Sequence, residues 1–110
     1  MRHEVIDRVS LEMAERVAAG LPDRPEWLEL ARQNLARWRE RNAEAPALVR
    51  CYDEWVKILE RPVREICAIL TAPTSEGQRL RQNSPFVGIL SPAQVWEIKR
   101  RIRENASESM

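Results

Sequence analysis

One histidine, three glycines and two cysteines in 110 residues leave this chain little conventional chemistry. Histidine is the commonest general base near neutral pH, and the single one, His3, precedes the first helical pattern, where a solvated side chain is expected. Gly20, Gly77 and Gly88 are too few and too scattered to cradle a phosphate, and no G-x-S-x-G elbow, His-x-x-x-His or Cys-x-x-Cys spacing occurs. Cys51 and Cys67 lie sixteen apart within helical patterns, unlike a disulfide framework or a zinc site. Both are expected to be reduced and buried, where a thiol is unreactive. No cofactor, metal or small-molecule substrate is indicated.

Long apolar runs are also missing. The opening MRHEVIDRVSLEMAERV carries a charge every few residues, and no segment approaches the roughly 18 to 20 apolar residues of a membrane span. A cytoplasmic protein without a membrane partner is the expectation. Carboxylates are plentiful, but Asp53 with Glu54 and Glu26 with Glu29 fall on polar faces beside basic residues. Pairs such as Asp53 with Lys57 are worth only tenths of a kcal/mol as surface electrostatics. A small enzyme working through carboxylates is therefore the weakest of the functional readings, and a non-enzymatic role is expected.

Strand alternation and hairpin dipeptides are absent, whereas helical spacing recurs. Ile6, Val9, Met13 and Val17 mark a first helix, which Gly20 and Pro22 end. Asp23 and Glu26 offer a capping box for a second helix, running to about Asn42 and burying Trp27, Leu28, Ala31, Leu35 and Trp38. Ala45-Pro46 opens a third helix, whose apolar arc from Leu48 to Leu59 covers about half its circumference and marks it as central. Pro62 starts a fourth, burying Val63, Ile66, Cys67 and Leu70, and Ser75 caps a short fifth through about Gln82. The expectation is an all-α, compact single-domain bundle of five or six short helices over residues 1–104, with 105–110 a disordered polar tail.

Net charge is +1, so no global field draws the chain to nucleic acid. Residues 76–110 nevertheless carry six cations against four anions. Within them QNSPFVGILSPAQVW, residues 82–96, has no charge at all and holds the only Phe. Gln82 and Asn83 end the short helix, Ser84 to Leu90 read as an apolar loop tucked on the bundle, and Ser91-Pro92-Ala93-Gln94 caps a last helix to about Glu104. On that helix Val95, Ile98 and Ile102 form a buried stripe, while Trp96 lies more than 100° away with Arg100 and Arg103, Lys99 on the flank.

The segment RLRQNSPFVGILSPAQVWEIKRR resembles the C-terminal segment of small helical bacterial proteins associated with mobile or toxin-antitoxin-type loci. That resemblance implies a small partner-binding protein, antitoxin-like in character, and transfers no catalytic residue. The leading expectation is a protein-protein interaction module, heteromeric or self-associating, that uses Trp96, Lys99, Arg100, Arg103, Phe86 and Val87. The alternative is a nucleic-acid-binding regulator using the same basic helix. Against it, the nine residues 83–91 are too long a join for a helix-turn-helix, and the cations sit towards the wrong end of the helix for base reading.

Overall fold

The computed structural model describes residues 3–108, with side chains for 4–105. Among them six α-helices and one 3-10 turn follow in order: α1 His3–Gly20, the turn Leu21–Asp23, α2 Glu26–Arg41, α3 Pro46–Ile58, α4 Val63–Leu70, α5 Ser75–Arg81 and α6 Pro92–Glu108. No strand occurs among the described residues, and the protein is an all-α single domain measuring 42 × 34 × 25 Å.

Most helix boundaries follow local rules, and the exceptions have local causes. Pro46 takes the first turn of α3, where its missing N–H costs nothing. Pro62 stands one residue outside α4, with ψ 147°, and its carbonyl accepts from Glu65 and Ile66. The Asp23 cap does not form. Asp23 belongs to the 3-10 turn, closed by Arg24 N–H donating to the Leu21 carbonyl at 3.1 Å, and α2 begins without a side-chain cap. Thr74, rather than Ser75, caps α5: its backbone is extended, and Oγ1 accepts from the Gly77 amide at 3.0 Å. Helix α6 continues to Glu108, so residues 105–108 are helical where a disordered tail is expected; residues 109 and 110 lie outside the described residues. His3 begins α1, and the solvated side chain expected of it also lies outside what is described.

The hub is α1, not α3. It packs against α4, α5, α6 and the 3-10 turn, whereas α3 packs mainly on α2. Small residues explain the exchange: Ala14 and Ala18 let α4 approach closely enough for the Cys67 thiol to donate to the Ala18 carbonyl at 3.4 Å. Part of the wide apolar arc of α3 stays open, with Val56 exposed. Both cysteines are free and half-buried rather than fully buried, and desolvation pushes the Cys67 thiol above its usual range.

Two hydrophobic clusters divide the interior. The main one joins Ala14 and Val17 of α1 to Leu35 of α2, Trp55 of α3 and Ile66 and Leu70 of α4. The smaller one holds Val9 of α1 with Ile98 and Ile102 of α6. Helix α6 is thus docked on the outer end of α1 by its own small core.

Between α4 and α5 the chain turns tightly. Gly77 is buried, and a Cβ there would meet the Ala72 carbonyl oxygen at 2.1 Å. Arg81, 7% exposed, reaches back across this turn and donates through Nη1 to the Leu70 and Ala72 carbonyls at 3.0 and 2.7 Å. It satisfies carbonyls that the end of α4 leaves open.

On the surface, Arg39 of α2 donates to Asp53 of α3 at 2.8 Å, and Arg79 of α5 bridges Glu54 and Glu76. Asp53 therefore pairs between helices, with Arg39, rather than along α3 with Lys57. The hydrogen bond from Arg39 holds the Asp53 carboxyl below the usual carboxylate range, and that from Arg79 does the same for Glu76. A carboxyl depressed in the folded state adds stability above its unfolded pKa and loses it as pH falls through the folded value. The melting-temperature difference between wild type and Arg39→Gln is accordingly expected to narrow from about pH 5 to about pH 2.5. A difference that stays constant over this range would remove the pair from the stability account.

Candidate functional site

The last helix is set in phase by its first four residues. Ser91 N–H donates to Gln94 Oε1 at 2.8 Å, and Gln94 N–H donates to Ser91 Oγ at 3.1 Å, a complete capping box. This fixes Ile98 and Ile102 inward on Val9, with Val95 half-buried beside them. Arg101 on the flank pairs with Glu12 of α1. The loop ahead of the helix is pinned from α2, where Asn34 Nδ2 donates to the Pro85 and Val87 carbonyls at 2.9 and 3.2 Å. Gly88, at φ +89°, supplies the left-handed residue this turn requires.

Opposite the docked stripe, Trp96 is 62% exposed. The Arg100 guanidinium carbon lies 5.2 Å from its ring centroid, within range of a cation–π contact. Lys99 and Arg103 are exposed on the same side. Among the described residues, none of these three cations has a carboxylate within 4.0 Å. Val87, 64% exposed, lies in the loop that leads into the helix.

Phe86 does not join them. Its ring is 5% exposed and meets Trp55 edge-on, with centroids 6.3 Å apart and planes at 79°. The uncharged stretch divides at this residue, because the only aromatic ring of the loop contributes more by completing the core around Trp55 than by facing water. Five of the six expected partner-binding residues remain on the surface: Val87, Trp96, Lys99, Arg100 and Arg103.

No family model, curated protein or solved structure matches this chain. Its functional reading rests on its own residues. Among the described residues no group of His, Cys, Asp or Glu is arranged to hold a metal ion, and no helix is long and apolar enough to cross a membrane. The carboxyls with displaced pKa values, Asp53 and Glu76, are exposed and shifted down by arginine partners. That is the direction of a surface ion pair, opposite to the raised pKa of a carboxylic general acid.

Two residues that organise this region carry no legible signal. Asn34 reads as one more polar residue of α2, and Arg81 as an ordinary cation of a short helix. Their partners are backbone carbonyls about fifty and ten residues away, brought near only by the tertiary fold.

Proposed function

We propose that the protein is a non-enzymatic interaction module whose outward face of α6 binds an acidic, partly apolar surface of another protein. The observation that carries this reading is the exposed Trp96 indole beside three cations that have no carboxylate within 4.0 Å among the described residues. Trp and Arg are the residue types that most often anchor protein interfaces, because each combines a large desolvated area with directional polar contact. Helix α6 docks on α1 through Ile98, Ile102 and Arg101, which lie on other sides of the helix.

Charge decides the kind of partner. A two-fold dimer built on this patch would bring the cations of both copies into one interface, and like charges across an interface are unfavourable. An acidic partner chain turns the same charges into attraction.

The test uses Trp96→Ala combined with Arg100→Ala. Both side chains are exposed, so the melting temperature is expected to stay within a few degrees of wild type. Partner captured from the native host, then purified and titrated, is expected to bind the double variant about 30-fold more weakly, the effect of losing one interface anchor. Equal affinity for both forms would sink the reading. So would a wild-type homodimer that the substitutions dissociate, or a gel shift of single- or double-stranded nucleic acid at low salt that they abolish.

A further inference from the structure

Between α1, the C-terminal end of α2, α3 and the 82–90 loop lies a cavity of about 650 Å³, open on one side. Volumes of 300–1,000 Å³ are typical of sites for small organic ligands. Its apolar wall comes from Met13, Val17, Trp38, Leu70, Phe86 and Leu90. Among the described residues, the charged ones that line it are Arg41 and Arg81, with no Asp or Glu.

Arg81 gives the cavity its chemistry. Arg81 is more than nine-tenths buried, and its Nη1 donates to two neutral carbonyls, those of Leu70 and Ala72. No carboxylate lies within 4.0 Å of it among the described residues; Asp7 and Glu15 of α1 act on it only from farther away. Burial lowers its pKa, yet a guanidinium starts so high that it stays charged at any physiological pH. A permanent positive charge therefore stands in a wall of low dielectric, where its field is weakly screened.

Neutral donors complete the lining. The Tyr52 hydroxyl accepts from Asn42 Nδ2 at 3.3 Å, leaving its own proton for another acceptor. Asn83 and Gln82 add amide groups close to Arg81 in the chain, and Trp38 stands beside Tyr52 with ring centroids 5.8 Å apart. The cavity thus combines a cationic, donor-rich wall with an aromatic and aliphatic one.

We infer that this cavity binds a small amphipathic monocarboxylate, with the carboxylate towards Arg81 and Arg41 and the apolar body against Trp38, Phe86 and Leu90. None of Trp96, Lys99, Arg100 and Arg103 lines the cavity, which shares with the expected partner-binding set only Val87 and the buried Phe86. Sequence alone indicated no small-molecule ligand, since a cavity is a property of packing.

Decanoate and 3-phenylpropanoate serve as probes for an aliphatic and an aromatic body, titrated by calorimetry against the whole chain. At least one is expected to bind one-to-one with a Kd below about 1 mM. 1-Decanol and decyltrimethylammonium, which match the aliphatic body without the anion, are expected to bind at least about tenfold more weakly than decanoate, the difference made by a charge-assisted hydrogen bond. If phenylpropanoate alone binds, 3-phenylpropanol replaces them as the control, with the same tenfold criterion.

Arg81 also caps α4, so its replacement is not the deciding variant. Ser10→Phe fills the cavity from α1 while leaving the cation in place, and is expected to abolish binding with the fold retained by circular dichroism. Arg41→Gln, at an exposed position, is expected to weaken the carboxylate about threefold and leave the alcohol unchanged. Absence of saturable binding by both acids, equal binding of acid and alcohol, or undiminished binding by folded Ser10→Phe would each overturn the assignment.

Discussion

Trp55→Ala is expected to lower the stability of the protein by about 3–5 kcal/mol, the usual cost of deleting a large aromatic side chain from a packed interior. The indole is fully buried and meets the bundle in three ways. It belongs to the main core, it packs edge-on with Phe86, and its N–H donates to the Leu80 carbonyl at 3.0 Å. Alanine removes all three at once. Because a domain of this size typically holds only about 5–15 kcal/mol in total, the variant is expected to unfold at much lower urea concentration.

Trp55→Phe separates the contributions. It retains an aromatic ring in the core but loses the bond to Leu80, so a loss of about 1–2 kcal/mol is expected. Amide exchange of residues 84–90 is expected to speed up in the alanine variant more than in the phenylalanine one, because Phe86 packs edge-on to the Trp55 ring. An alanine variant within about 1 kcal/mol of wild type would show that this core position collapses without cost, contrary to the packing described.

Gly77→Ala is the second large effect, and its sign runs against helix propensity. Gly77 lies inside α5, where alanine is intrinsically better by about 1 kcal/mol. Its Cβ, however, would sit 2.1 Å from the Ala72 carbonyl oxygen and 3.0 Å from the carbonyl carbon. Those are backbone atoms and cannot swing aside, so α5 must shift off the end of α4. The same carbonyl accepts from Arg81, so the shift also disturbs the bond that closes the turn. A net loss of about 2–3 kcal/mol is expected, read from urea midpoints at unchanged m-value. A gain in stability would mean that α4 and α5 are not in contact at this point.

What could be read from the chain was local. Helices α1, α2, α3 and α4 announce themselves through spacing and proline, and α6 through a capping box whose two bonds both form. The inward stripe of Ile98 and Ile102 and the angle of Trp96 away from it follow from 100° per residue alone, whereas the exposure of the indole is set by the packing of the loop before it. Local signals also misled in two places. Ser75 reads as the cap of α5, but the extended backbone falls one residue earlier and Thr74 takes that role. Asp53 had Lys57 one turn away on its own helix, but Arg39 from α2 offered the closer hydrogen bond.

Non-local questions had no signal to follow. The apolar arc of α3 marked it as central, yet a hub also needs surfaces that neighbours can approach closely, and Ala14 and Ala18 gave that to α1. Phe86 and Trp96 are the two aromatic residues of one uncharged stretch; Phe86 is buried where Trp55 and Asn34 hold the loop, whereas Trp96 is exposed with Arg100 over its ring. The sequence by itself determined an all-α chain and its helix phases, since these depend on residues within a turn or two of each other. Tertiary structure alone decided the hub, the buried guanidinium of Arg81 and the cavity beside it. Those depend on which distant carbonyls and rings the packed helices bring together, and on the space they leave between them.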